Sequence, residues 1–251
     1  MFHELQVPGR PVVDDQPGYL RYVVHEATFS RHLRAMSEQQ LHGVAVGAAW
    51  DSAGPDGCVV LTFDDGCETD WTVAAPLLSA LGLGATFYVV SGWIGRRGFM
   101  DTRQLRELHA AGFEIGSHSA SHAFFNDLDE GALRHEIADS RRAIEDILGD
   151  RVRHLSCPGG RATRRAARVA EESGYETMAT SCIGRNDTST DRYALARCAV
   201  MADTTPARFA ALCRGRGLRR LRARQQLLTG ARRLVGNRLY AGLRQYALRH
   251  S

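Results

Sequence analysis

The chain has 251 residues, 44% hydrophobic and 24% charged, within the size of a single α/β barrel and enough to bury one substantial core. There is no internal repeat or low-complexity tract, and six cysteines at 58, 67, 157, 182, 198 and 213 lack Cys-x-x-Cys spacing, which excludes a zinc ribbon or a disulfide scaffold and points to free thiols in a reducing compartment. The net charge of +4 hides a division: every basic residue is arginine, and twelve of the thirty-two follow Asp203, the last acid, so residues 1–203 carry −8 and residues 204–251 carry +12.

In chain order, residues 58–63 form a short apolar, β-rich run that stops at Asp64-Asp65-Gly66, as a buried parallel strand feeding a loop does. A helix is predicted over 70–81 and a strand over 85–90. Residues 71–95 carry no charge and are long enough to span a bilayer, but Pro76, Gly82, Gly84 and Gly92 interrupt them, which favours a buried helix followed by a buried strand. Further helices are predicted over 101–111, 129–148 and 162–173, alternating with strands over 113–117, 154–157 and 176–180. This alternation predicts parallel βα units and the α/β class. The amino terminus shows no basic start, apolar stretch and small-residue cleavage site, so secretion is not expected.

Two motifs carry chemistry. Thr62-Phe63-Asp64-Asp65-Gly66 places two carboxylates at a strand's carboxyl end, the face of an α/β barrel where loops converge. His118-Ser119-Ala120-Ser121-His122 follows another strand, and a turn of helix there would put both imidazoles on one face. Together they supply three ligands for a divalent ion and one carboxylate left as a base.

These strings, with Ala85-Thr86-Phe87-Tyr88-Val89-Val90 and Leu108 through His118 between them, resemble the NodB-type polysaccharide deacetylases, family 4 of the carbohydrate esterases. The resemblance runs from about Val59 to about Val200 and implies a distorted (β/α) barrel, usually seven-stranded, over residues 1–203. It implies removal of N-acetyl groups from an amino-sugar glycan, with Asp64 as general base and Asp65, His118 and His122 holding one divalent metal. Zinc is expected, with cobalt or nickel as alternatives.

Two family positions differ. The third motif, Arg-x-Pro-x-Gly, reads Ser156-Cys157-Pro158-Gly159-Gly160, so the Arg that steadies the base is absent, and Arg153 or Arg161 is expected to replace it. Pro158, Gly159, Gly160 and Arg161 form the expected substrate and oxyanion segment, with a backbone N–H near Gly159 as donor. The terminal Leu-x-His is also missing, since His250 is the only histidine after His154 and sits in a basic tail. The leader Met1-Phe2-His3, with 19–25 and 28–34, resembles that of poly-N-acetylglucosamine deacetylases, and this resemblance implies His3 as general acid.

Residues 204–251 read as a basic amphipathic extension: Leu221, Leu228, Ala231, Val235, Leu239, Gly242 and Tyr246 share a stripe, with Arg224, Arg232, Arg233, Arg238 and Arg244 mostly elsewhere. The stripe is expected to dock on the barrel or a second subunit, or to lie on an anionic membrane surface. No nucleic acid is expected. The expected location is cytoplasmic, peripheral on the inner membrane face, with a lipid-linked saccharide as substrate. Deacetylation of a soluble amino-sugar metabolite and a catalytically silent carbohydrate-binding protein are the alternatives.

Overall fold

The computed structural model describes residues 1–51 and 58–235. Its strands are all short and parallel: β1 (Leu5–Gln6), β2 (Val24–His25), β3 (His42–Val44), β4 (Cys58–Val60), β5 (Thr62–Phe63), β6 (Thr86–Val89), β7 (Glu114–Ser117), β8 (His154–Ser156) and β9 (Thr177–Ala179). β5 to β9 form one sheet in sequential order, while β1–β2 and β3–β4 are separate pairs. Single parallel bridges, Phe2 with Phe63 and Ala179 with Leu195, extend the five-stranded sheet at its two edges. The Val200 N–H donates to Met1 O at 2.9 Å, so the segment beyond Leu195 returns to the amino-terminal strand. Where the resemblance implies seven strands, the main sheet has five regular strands with one single-bridge segment at each edge.

Period-two alternation sorts the side chains. Phe63 and Phe87 stack outward at 4.7 Å, beneath the helices, and Phe2 stacks on Phe63 at 5.3 Å. Thr62, Asp64, Ser156 and Tyr88 point the other way and meet Arg197 inside the barrel. Gly116 lies opposite Tyr88, and a Cβ there would come within 2.4 Å of the ring. The absence of a side chain lets Tyr88 cross the lumen.

The uncharged stretch 71–95 divides as its composition predicts, into a wide turn Asp70–Ala74, a helix Ala75–Ala80 and β6. Pro76 lacks an N–H, and the preceding turn widens so that Ala75 donates to Asp70 O. Among the described residues no helix is long and apolar enough to cross a membrane.

The extension after Asp203 begins with a helix, Pro206–Cys213, whose Phe209 is buried against Phe2 at 5.7 Å and His32 at 4.7 Å. A second helix, Leu218–Val235, half-buries Leu221 and leaves Leu227 exposed. Arg238, Leu239, Gly242, Arg244, Tyr246 and His250 lie outside the described residues, as do the side chains of Arg224, Leu228, Ala231, Arg232, Arg233 and Val235.

His32 is fully buried, with Nε2 2.8 Å from Thr204 O. Burial lowers its pKa, against the opposing effect of the Thr204 carbonyl. A folded-state pKa below the unfolded value of about 6.5 gives stability that is complete above that pH and is lost as pH falls toward the folded value. His32→Gln should therefore flatten the decline of Tm between about pH 6.5 and 5, relative to the parent protein, in thermal scans. An unchanged slope would remove His32 from the acid response.

Candidate active site and metal centre

At the end of β5 the backbone reverses hand. Asp65 has φ 83° and Gly66 φ 78°, so Asp64 keeps the inward direction of its strand while Asp65 swings to another wall of the same cavity. The expected helical turn across His118–His122 does not form. Ser119 (φ 71°) and His122 (φ 66°) are also left-handed, and the His122 N–H donates to Ser119 Oγ at 2.9 Å. Among the described residues only four non-glycines have positive φ, and three of them are Asp65, Ser119 and His122; such clustering marks sites where local strain is tolerated for function. The loop is held by Glu136, buried, whose carboxylate accepts from the N–H groups of Ala120 and Ser121 and the hydroxyl of Ser121 at 3.0, 2.8 and 2.6 Å.

The loop converges its imidazoles on Asp65. Oδ1 of Asp65 is 3.6 Å from His118 Nε2 and 3.5 Å from His122 Nε2, and one ligand atom from each of the three lies within 4.8 Å of the others. That oxygen is buried with no hydrogen-bond partner. His118 Nδ1 sits 2.9 Å from Ser156 O, which fixes the ring and leaves Nε2 as the lone-pair donor. Ligands about 2.0–2.1 Å from a tetrahedral zinc stand roughly 3.3 Å apart, close to the spacing here. Burial, then repulsion from Asp64 and Glu4, pushes Asp65 up to about 7, while burial and then His118 lower His122 to about 4. A buried carboxylate beside two neutral imidazoles fits a divalent cation.

Asp64 is held differently. Arg197 NH1 donates to Oδ1 at 2.7 Å, and NH2 donates to Oδ2 at 2.9 Å and to Ser156 Oγ at 2.7 Å. NH1 also reaches Thr62 Oγ1 at 3.3 Å, and Nε donates to Thr180 O at 2.9 Å. Burial alone would raise the Asp64 pKa, but Arg197 and then His118 outweigh it and hold the carboxyl well below the usual carboxylate range.

Neither arginine expected from the sequence fills this role. Arg153 pairs with Asp51 and Glu176, and Arg161 lies over the Phe124 ring at 4.2 Å. Ser156 Oγ accepts from Arg197 NH2, so the arginine that grips Asp64 comes from the segment after β9. Its inward direction is set by the fold: Leu195 bridges Ala179, so Arg197, two residues on, faces inward as well.

His3 is placed by pairing rather than left at a frayed end. The Phe2 N–H donates to Thr62 O at 2.7 Å, and the Asp64 N–H donates to Phe2 O at 3.0 Å. With Phe2 packed outward, His3 turns in; its ring lies 4.8 Å from Tyr22 and its buried Nδ1 has no partner. Burial lowers it to about 4, opposed by the Asp64 charge.

Pro158–Gly160 form a tight turn in which the Gly160 N–H is used by Cys157 O at 2.8 Å. Trp93, 5.2 Å from His122 and 4.8 Å from Phe99, and the partly exposed Phe124, 6.4 Å from His122, add aromatic faces around the triad.

A family model described as polysaccharide deacetylase matches residues 51–178. The chain belongs to the polysaccharide deacetylase family. It is 29% identical to YxkH of Bacillus subtilis over 154 residues, 61% of this chain and 55% of that one. It is 26% identical over 130 residues to a peptidoglycan-N-acetylglucosamine deacetylase of Bacillus cereus, covering 51% of this chain and 59% of that one. The chain thus spans little more than half the length of these two relatives. Among solved structures, IcaB from Ammonifex degensii (TM-score 0.72, 21% identity, 84% of this chain and 94% of that one) shares the fold. So does the Streptococcus pyogenes deacetylase PplD in complex with acetate (TM-score 0.72, 20% identity, 82% and 93%). His3 and Arg197 both lie outside the matched span.

Asp65→Ala, His118→Ala and His122→Ala should each weaken zinc binding by more than the roughly 10–100-fold expected for losing a supporting residue, measured by metal analysis after dialysis. Asp64→Asn should retain the metal. Equal metal content in all four would reject this donor set.

Proposed function

We propose that the protein hydrolyses the N-acetyl group of an amino-sugar glycan to acetate and a free amine, with Asp65, His118 and His122 holding one divalent ion, zinc by preference. One observation carries the reading: a buried carboxylate kept ionised by a bidentate arginine stands beside a second carboxylate and two imidazoles arranged as a ligand set. The ion supplies positive charge that acidifies a water and polarises the amide carbonyl.

The chain's own groups handle one proton. Water oxygen attacks the carbonyl carbon and Asp64 takes the proton, which a carboxylate so strongly paired with Arg197 holds only weakly. His3, buried and reached by the Asp64 charge, accepts it next. As the C–N bond breaks, His3 passes that proton to the departing nitrogen. The Pro158–Gly160 turn, with the Gly159 N–H as donor, lies at the oxyanion side, and Arg161 on Phe124 forms part of the substrate wall.

A catalytically silent carbohydrate binder was suggested by Ser156 and by the missing terminal histidine. Arg197 paired with Asp64, and a buried His3 that feels the Asp64 charge, support the enzyme. For location we propose a reducing, cytoplasmic setting, supported by six free cysteines, with lipid-linked saccharides among the candidate substrates.

The test is acetate release from N-acetylated saccharides, free and lipid-linked, with metal or chelator. Activity should require metal, and Asp64→Asn, Arg197→Met and His3→Gln should each lower kcat by about 10²–10⁴-fold while retaining metal. No acetate from any saccharide with metal-loaded protein would overturn the proposal.

A further inference from the structure

The helix Leu218–Val235 is joined to the catalytic carboxylate by a continuous line of hydrogen bonds. Gln225, half-buried on that helix, accepts from the Ile183 N–H at 3.1 Å through Oε1 and donates to Ser181 O at 2.8 Å through Nε2. One side-chain amide therefore satisfies two backbone groups of a loop, as a neighbouring strand would. Between those two groups, Cys182 O accepts from the Arg197 backbone N–H at 2.9 Å. Thr180, at the start of the loop, gives its carbonyl to Arg197 Nε at 2.9 Å. The loop thus holds Arg197 by main chain and guanidinium together. Arg197 then delivers its two remaining nitrogens to Asp64.

The same loop touches the oxyanion turn. The Ser181 N–H lies 3.4 Å from Gly160 O, and a Cβ on Gly160 would stand 2.0 Å from Ser181 Oγ. Asn186 closes the far side, exchanging hydrogen bonds with the Ala196 backbone at 2.8 and 2.9 Å. On this side Arg197 is oriented by residues 180–186, and Gln225 braces that loop from the helix Leu218–Val235.

We infer that Gln225 is a positioning residue for the base: it locks the 180–186 loop, and through that loop sets the angle at which Arg197 grips Asp64. The inference rests on Asp64 being the base of the proposed deacetylase. It assigns the carboxyl-terminal helix a part in turnover although it lies beyond the span matched to the family. The bidentate grip is geometry-sensitive, since displacing a catalytic group by about 1 Å can cost up to about 10²-fold in rate.

The experiment is a double-mutant cycle in the full chain, read alongside amide hydrogen exchange. Gln225→Ala should lower kcat by about three- to tenfold, with KM within about twofold and bound metal unchanged. In an Arg197→Lys background the same change should cost nothing further, because the interaction it acts through is already altered. Exchange should quicken in peptides covering 180–184 and 195–198. Arg222→Ala, exposed on the same helix, should behave like the parent. If Gln225→Ala loses its thermal transition, Gln225→Met replaces it. Additive losses with Arg197→Lys, an unchanged kcat, or unchanged exchange in those peptides would each overturn the inference. Should the parent protein release no acetate, the deacetylase reading falls on that result, while the exchange comparison still decides whether Gln225 braces the loop.

Discussion

The architecture turns on a buried ion pair that is not worth making for stability alone. Taking a guanidinium and a carboxylate out of water costs several kcal/mol per ion, and their attraction repays it only when geometry is good and the remaining donors are satisfied. Arg197 meets both conditions: Asp64 takes two donors, Ser156, Thr62 and Thr180 take others, and the Tyr88 ring lies 5.5 Å away. Four separate stretches of chain, around residues 62–64, 156, 180 and 197, must be in register for this to happen. The pair therefore specifies how the barrel closes, because a slip of one residue in the segment after Leu195 would turn Arg197 outward and leave Asp64 buried without a counter-charge.

From that pair comes the division between two adjacent carboxylates. Asp64 and Asp65 are chemically identical and sequential, yet one is drawn far down by Arg197 and the other is pushed to about 7 by burial and by Asp64 itself. Environments that separate two like groups in this way are how a site assigns different roles to them. Here the separation is made by backbone: a strand direction kept at Asp64 and a left-handed turn at Asp65.

What was legible in the sequence was contiguous. The βα alternation, the Asp-Asp pair at a strand end and the histidines four apart are local patterns; the strands and helices that the alternation predicts are found at those places, while the helical turn expected from the histidine spacing is not. His3 was legible only through resemblance, since a residue so near a terminus has no local pattern to place it; Phe2, packed among Phe29, Phe63 and Phe209, is what positions it. Arg197 was not legible. It is 133 residues from Asp64, in a run without strong periodicity, and its inward direction depends on a single bridge at Leu195. Arg153 and Arg161 were nearer in sequence to the motif, but one is taken up by Asp51 and Glu176 and the other by an aromatic ring.

The histidine loop shows why spacing was read correctly and conformation was not. A helix would place residues 118 and 122 on one face, but it would also need Ser119 and His122 in right-handed conformations, and both are left-handed. Two left-handed non-glycine residues cost on the order of 1–3 kcal/mol each. The buried Glu136 carboxylate accepts three hydrogen bonds from Ala120 and Ser121, each on the order of 1.5–3 kcal/mol when the acceptor is charged. The two sums are of the same size, so the loop's shape is decided by a residue on the helix side and not by the motif. A motif of five residues can name the ligands; the acid that bends them toward one point lies fourteen residues past His122, where no spacing rule would look for it.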